Sequence, residues 1–414
     1  MRITEQQIRN DLHRGYIDAR RYKRTTLAQM EFEECQEPDL ELLANDLVNR
    51  CYKPKPAFCF ITFDPVQREV FASQFEDRIV QHMLYSYLYP LFDRLFIYDT
   101  YSCRIGKGTH FGVQRFWHHL RSVTNNFHDD AYVLMIDLSG YFMSIDKQLL
   151  IDETMRQLNS HLYRRSPDGR LWVERIDPDF CEYLLHCFLD RNPSEDCYKL
   201  GDPANWNGLP ANKMLANSPV GVGIVIGDII SQVFSNVILN ITDQWAKRER
   251  HLKHWGHYVD DHFTMHNSLK FLVELVPELR EVFWEKAHVN LHPTKWHITP
   301  ANGGNQFLGA YVHPKYQLPR QRTVDTFVRT TQEMEYQMIF SELSYKDMDG
   351  IRSRINSYCG LFKHQKSFDL RREYLDRPAF HQYFYFDDWY LKAVLKAQYE
   401  RPVSYFWGKQ GLCL

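Results

Sequence analysis

Residues 257–266 read HYVDDHFTMH, with two adjacent aspartates set inside an apolar, β-branched run. Side chains alternate across a strand, so neighbouring carboxylates point to opposite faces, and burying either one unpaired is costly. A hairpin tip resolves the conflict. Asp is a favoured turn residue, and strands joined at Asp260-Asp261 would leave both carboxylates at the surface. Ordinary turn acids satisfy the same pattern, so a chemical role needs further acid from elsewhere in the chain.

The run AYVLMID, residues 131–137, is nearly continuous in apolar residues and ends in a carboxylate. It predicts a strand covered on both faces whose aspartate emerges at its end. If this strand and the hairpin are neighbours in one antiparallel sheet, Asp137 meets Asp260 and Asp261 at the same edge. Three convergent carboxylates suit nucleotidyl transfer by paired Mg²⁺ ions, hard cations that take oxygen ligands and sit roughly 3.5–4 Å apart.

The 414 residues leave room for two to four domains, and 44% hydrophobic with 25% charged residues is ordinary for a soluble protein. No run of roughly eighteen apolar residues occurs, and the first residues lack the apolar core of a secretory signal, which predicts an intracellular protein with no membrane partner. The nine cysteines are scattered, without CxxC pairs or zinc-finger spacing, and read as reduced thiols. Net charge is −2, so any nucleic-acid footprint must be local. Residues 1–30 hold seven Arg/Lys against three Asp/Glu, and residues 352–372 hold six against one. Each could equally be a solvated helix face.

Leu40, Leu43 and Leu47 recur at helical spacing, and Pro54 and Pro56 end the pattern. FCFITFDPVQREVFAS predicts a hairpin with Arg68 near the start of its second strand. QFEDRIVQHMLYSYLYPLFDRLF predicts an amphipathic helix with Arg78 on its first turns, and SCRIGKGTH sets a glycine-bearing loop before another helix. Residues 191–227, rich in Gly, Pro and Asn, read as a long ordered loop pinned by Trp206, Leu209 and Met214. DIISQVFSNVILNITDQWAK follows as a helix with Asp228 as its N-cap. A mixed, basic, helical portion begins at about 318, and the aromatic density of 377–414 suggests a packed helix or a partner surface.

Several of these stretches resemble a known family. IDLSGYFMSID, GIVIGDIISQVFSNVILN, HYVDDHFTMH, LHPTKWHI and QFLGAYV occur in the order and spacing of the palm motifs of reverse transcriptases. REVFASQFEDRIVQH and FIYDTYSCRIGKGTH resemble the fingers and early palm of the bacterial, group II intron-like members. IGDIISQ resembles the Ile-Gly-x-x-x-Ser-Gln form of the reverse transcriptases of diversity-generating retroelements, and NSYCGLFKHQKSFDLRR resembles the thumb of that group. The likeness covers roughly residues 15–375.

The resemblance implies an α+β right-hand polymerase with fingers, a palm whose antiparallel sheet packs on helices, and a helical thumb. Residues 1–110 would form N-terminal helices and fingers, 111–317 the palm with part of the fingers and a 191–226 insertion, 318–376 the thumb, and 377–414 a C-terminal extension. It implies Asp137, Asp260 and Asp261 as catalytic carboxylates and metal ligands, with the Leu138 carbonyl assisting at one of two Mg²⁺ ions, for which Mn²⁺ could substitute. Phe142 falls at the steric-gate position that excludes a 2′-hydroxyl. Arg68 and Arg78 match positions that meet the incoming triphosphate, a role suited to bidentate guanidinium. Lys295 matches a lysine thought to protonate pyrophosphate, although a snorkelling surface lysine fits the sequence as well. Phe307, Leu308 and Gly309 match the primer grip. Ile226, Gly227, Ser231 and Gln232 would border the templating base and the dNTP.

Departures from the family are visible. The motif usually opens with Leu-Pro, where this chain has GVGIVIG, and Ile229 and Ile230 replace smaller or polar residues. His262 could in principle ligate metal, but beside a hard, oxygen-preferring ion an inert strand position is expected; His254, His257 and His266 are given no role.

The activity implied is RNA-directed DNA polymerisation, copying a retroelement's template RNA into cDNA with errors at template adenines, so that a target gene is diversified by mutagenic retrohoming. A defence-associated or retron-like reverse transcriptase is the alternative within the class. A non-catalytic RNA-binding scaffold is a different class, disfavoured by the three intact carboxylates. With few phosphate-neutralising segments the chain would hold its duplex weakly, which predicts help from a small basic oligomeric subunit of the accessory variability determinant type, in a bacterial cytoplasm.

Overall fold

The computed structural model describes residues 3–21, 26–63 and 66–399. Twelve strands are assigned among them. In chain order they are β1 (Phe58–Thr62), β2 (Arg68–Ala72), β3 (Tyr132–Leu138), β4 (Tyr198–Lys199), β5 (His254–Tyr258), β6 (Asp261–His266), β7 (Leu291–Pro300), β8 (Asn305–Phe307), β9 (Ala310–His313), β10 (Tyr316–Pro319), β11 (Phe384–Phe386) and β12 (Ala393–Leu395). The chain is α+β and divides into two units, one of Met1–Gly112 and Tyr132–Ile298, the other of Val113–Ala131 and Thr299–Leu414.

The centre of the first unit is a four-stranded sheet in the order β5-β6-β3-β7. β3 and β6 pair antiparallel from Tyr132↔His266 to Ile136↔His262, and β5 and β6 pair from His254↔Met265 to Tyr258↔Asp261. Val133, Leu134, Ile136 and Leu138 of β3 are all buried, as a strand covered on both faces requires. The helices Ile229–Gln244 and Leu269–Ala287 supply Phe234, Val237 and Ile238, and Leu272, Leu279 and Phe283, to the same core. Leu269–Ala287 is buried along one face, whereas Ile229–Gln244 is buried on nearly all sides, without a break from Val233 to Asn240. The helix Phe75–Leu95 adds Ile79, Met83, Leu88 and Phe92, against Ile8, Leu12 and Tyr16 of the N-terminal helix Glu5–Arg20.

A second sheet in this unit runs β2-β1-β4. β1 and β2 form the expected hairpin, from Phe58↔Ala72 to Thr62↔Arg68, and Arg68 opens its second strand; the Asp64-Pro65 turn lies outside the described residues. The loop of 191–227 is ordered by short 3₁₀ turns and by one buried carboxylate. Glu69 accepts from Trp206 Nε1 and from the Leu215 amide, both at 2.9 Å, and Leu209 is buried nearby in the chain.

Two local expectations change. The tip of the β5–β6 hairpin is Val259-Asp260 rather than Asp260-Asp261, because Asp261 already pairs with Tyr258 as the first residue of β6. Asp228 occupies the N-cap position of helix Ile229–Gln244, but its side chain makes no cap bond; Ser73 Oγ donates to it at 2.6 Å instead.

In the second unit β8, β9 and β10 form a meander, joined by the part of helix Thr109–Val123 that falls in that unit, whose Phe116 ring stacks on Phe307 at 4.8 Å. The helices Gln321–Phe340, Tyr345–Phe362 and Phe368–Leu375 share a core of Phe327, Met334, Ile355, Phe362 and Leu375. Phe380, Phe384 and Leu395, from the helix Pro378–Tyr383 and the β11–β12 hairpin, close that same core. The aromatic residues at 380–386 thus lie on a short helix and the first strand of a hairpin, while residues 400–414 lie outside the described residues. No helix among the described residues is long and apolar enough to cross a membrane.

Glu69→Ala leaves an indole N–H and a main-chain N–H without their acceptor in a buried setting. Chemical denaturation should show a loss of about 2–4 kcal/mol, with faster proteolysis of residues 200–217.

Candidate active site

The β3–β6 register brings the acids together. Ile136 faces His262, so Asp137 follows at the end where β6 begins with Asp261 and the turn carries Asp260. Asp137 and Asp260 are half-buried and Asp261 is exposed. β7 flanks β3 on its other side and delivers Lys295, whose Nζ lies 3.3 Å from Asp137 Oδ2. Burial pushes the Asp260 carboxyl above its ordinary range; the Asp137 charge adds to this, while Arg68 and Lys295 pull the other way. Four of the expected residues, Asp137, Asp260, Arg68 and Lys295, thus form one electrostatic group: two carboxylates held against each other and two cations.

Around this group the chain arranges several other expected residues. Leu138 is buried, and the next residue, Ser139, donates its N–H to the Asn290 carbonyl at 2.8 Å. Phe142 is half-buried on the short helix Tyr141–Ser144, and its carbonyl accepts from the Ile224 amide at 2.8 Å. With Phe71 and Val225, both Phe142 and Ile226 belong to one small apolar cluster. The Ile226 carbonyl accepts from the Phe71 amide at 2.9 Å, which docks this segment on β2. Gly227 follows at φ 135°, and a Cβ there would stand 2.2 Å from the Phe71 carbonyl oxygen, so only glycine fits. Ser231 is buried, whereas Gln232 is exposed and its side-chain oxygen lies 3.9 Å from Cys103 Sγ.

Arg78 is engaged within the fold. It is half-buried, its Nε donates to the Ser73 carbonyl at 2.9 Å, and burial lowers its pKa against the opposing charge of Asp228. Phe307, Leu308 and Gly309 belong to the second unit, where Leu308 and Gly309, with φ of 48° and 79°, form the tight β8–β9 turn.

Behind the Val259-Asp260 turn lies a polar group that reading the sequence missed. Asp243, His257 and His262 are fully buried. His257 Nε2 lies 2.9 Å from Asp243 Oδ2, and Trp255 Nε1 donates to Asp243 Oδ1 at 2.7 Å. Burial raises the Asp243 carboxyl, but the His257 charge and these hydrogen bonds overcome it and hold the carboxyl below its ordinary range. Burial and the adjacent His257 push His262 down to about 3. The signal was present: His257 and His262 stand at equal distances either side of the turn and are therefore cross-strand partners.

The donors around Asp137 and Asp260 fit a hard divalent cation. They are carboxylate oxygens, the Asp137 charge raises the cost of ionising Asp260, and a lysine ammonium is drawn to 3.3 Å of Asp137.

No family model matches the chain, and no curated protein sequence matches it. Among solved structures it is similar to a telomerase from Candida albicans in complex with a TWJ fragment of telomeric RNA, at 9% identity over 81% of this chain and 58% of that one, with a TM-score of 0.44. It is also similar to an apo telomerase from Candida tropicalis, at 10% identity over 78% and 59% of the two chains, TM-score 0.45. A form of that protein truncated from its C-terminal domain gives 10%, 63% and 54%, with a TM-score of 0.41. The chain thus covers less than two thirds of each of these structures.

The electrostatic group can be tested without any turnover. In the metal-free protein, a ¹³C-carboxyl titration of Asp260 should move upward in Arg68→Ala and in Lys295→Met, which remove favourable cations. It should move downward in Asp137→Asn, which removes the like charge.

Proposed function

We propose that this protein is an RNA-directed DNA polymerase with two-metal nucleotidyl transfer chemistry. The observation that carries the reading is the meeting of Asp137 and Asp260 at one sheet edge, with Lys295 and Arg68 beside them. Asp137, Asp260, the exposed Asp261 and the Leu138 carbonyl would hold two Mg²⁺ ions. When bound, these ions supply Lewis-acid activation of a primer 3′-hydroxyl and charge neutralisation at the triphosphate.

The chain's own groups do the rest. Arg68 is exposed at the head of β2 and can reach an incoming triphosphate with a bidentate guanidinium, and Arg78 is assigned to the same substrate. Lys295 carries a proton at Nζ close to Asp137, where it can be given to a leaving pyrophosphate oxygen. The Phe142 ring would stand against the sugar C2′, and Ile226, Gly227, Ser231 and Gln232 would line the pocket for the nascent base pair. Phe307, Leu308 and Gly309 would grip the primer. In this reading residues 1–110 supply the N-terminal helices and fingers, 111–317 the palm and 318–376 the thumb. The template is the RNA of a diversity-generating retroelement, and a small basic subunit helps to hold it in the cytoplasm.

On an RNA template with Mg²⁺, Asp260→Asn should lower dNTP incorporation by roughly 10³-fold, with an unchanged melting profile. Equal rates in the two proteins would point to a scaffold instead. Phe142→Ala should admit ribonucleotides, narrowing dNTP-over-rNTP discrimination in kcat/KM by roughly 10–200-fold. For the retroelement assignment, cDNA written by Ile226→Asn or Gln232→Ala should carry an altered rate of misincorporation at template adenines. An identical error spectrum would separate these residues from fidelity.

A further inference from the structure

The turn that presents Asp260 is strained. Val259 has φ 54°, left-handed for a β-branched residue, in a position where two-residue hairpin loops ordinarily use glycine. Such a conformation costs about 1–3 kcal/mol and persists only where its surroundings over-determine it. Here they do. Ser102 Oγ accepts the Val259 N–H at 3.2 Å, and Ser102 is fixed in turn by Asn236, to whose Oδ1 it donates at 3.0 Å. His257 Nδ1 lies 3.1 Å from the Val259 carbonyl, and His262 Nδ1 lies 3.1 Å from the Asp260 carbonyl. Since a carbonyl only accepts, both Nδ1 atoms donate. The far side of His257 is anchored on Asp243, which also accepts from Thr100 Oγ1 at 3.1 Å and from the Trp255 indole.

Two histidines and a carboxylate within 4.8 Å of one another, with His262 Nε2 lacking a partner, also invite a transition-metal reading. The ring geometry opposes it. The two imidazoles are stacked 4.6 Å apart and only 11° from parallel, so their in-plane lone pairs run side by side and do not converge on one ion. The hydrogen bonds, by contrast, are formed as the rings stand.

We infer that Ser102, His257 and His262 form a brace that holds the strained Val259-Asp260 turn and so fixes the Asp260 carboxylate beside Asp137. His257 is the principal positioning residue, acting through the Val259 main chain. The purpose served rests on the polymerase reading; the brace itself rests on the hydrogen bonds. Nothing in it touches substrate, so it acts on the rate of the assembled complex and not on nucleotide binding.

The test uses the full chain and two substitutions that split the imidazole. His257→Asn keeps a donor where Nδ1 stands but does not reach Asp243; His257→Gln reaches toward Asp243 and leaves the Val259 carbonyl unheld. On an RNA template with Mg²⁺, the Gln variant should lose about 10–100-fold in kcat, with the dNTP KM within about twofold. The Asn variant should retain most of the rate. A role confined to filling the core and satisfying Asp243 predicts the reverse order, and that result overturns the proposal. Ser102→Ala releases the turn from its other end, and amide hydrogen exchange at Val259 should accelerate at least about tenfold along with a fall in kcat. Unchanged exchange at Val259 overturns the brace whether or not the His257 variants fold. Stoichiometric zinc in the purified protein, with loss of the turn's exchange protection on chelation, would also overturn it in favour of a metal site. Should the wild-type chain fail to copy RNA at all, the polymerase reading falls, while the exchange experiment still decides the brace.

Discussion

The antiparallel pairing of β3 with β6 is the constraint on which the site depends. Its register sets Ile136 opposite His262 and thereby brings Asp137 level with the start of β6. A slip of one residue would turn every β6 side chain to the other face and take Asp261 out of line with Asp137. The register is defended from both sides of the sheet. Val133, Leu134 and Ile136 on β3 and Phe263, Thr264 and Met265 on β6 are all buried, so a shifted pairing would have to repack both faces of the sheet. The neighbouring β7 then needs only to pair with β3 for Lys295 to reach Asp137.

What this register assembles is electrostatically unfavourable in isolation. Two carboxylates converge where burial already raises the cost of ionising Asp260, and a main-chain hydrogen bond at Asp260, Arg68 and Lys295 offset it. A fold selected for stability alone would spread these charges. The chain instead meets the expense with a large apolar core formed by the helices beneath the sheet, and with main-chain strain confined to a single residue of the turn. Such a local conflict in an otherwise consistent structure is the pattern expected where geometry is held for chemistry.

Much of the fold was legible because its signals are periodic. The continuous apolar run of 131–137, the alternation around DPVQ and the three-and-four spacing after Asp228 each specify an element without help from distant residues. The readings that shifted are those where a distant residue competes with a local rule. Turn preferences favour Asp over Val, which points to Asp260-Asp261 as the tip; the loop is Val259-Asp260 because Ser102 and His257 hold a conformation that valine alone disfavours. Asp at an N-cap normally bonds its own helix, yet Asp228 turns to Ser73, 155 positions away in sequence. Asp243 gives no sign in the sequence at all, since it lies among the apolar positions of its helix and finds His257 only once the helix is packed on the sheet. Of the candidate site, the carboxylates, Arg68 and Lys295 could be read from motif order; the polar group behind them could not, beyond the even spacing of His257 and His262 about the turn.

The adjacency of Asp260 and Asp261 therefore has a different meaning from a pair of turn acids. Asp260 sits in the turn, half-buried, and feels Asp137 directly; Asp261 is the first residue of a strand and faces solvent. The two carboxylates stand in different environments, because Asp260 lies in the turn after the left-handed Val259 and Asp261 is already paired in β6. His262 next in line is fully buried and returns a hydrogen bond to the Asp260 carbonyl, so the strand beyond Asp261 acts back on Asp260. Any movement of the Asp260 main chain must first break its contact with a buried histidine.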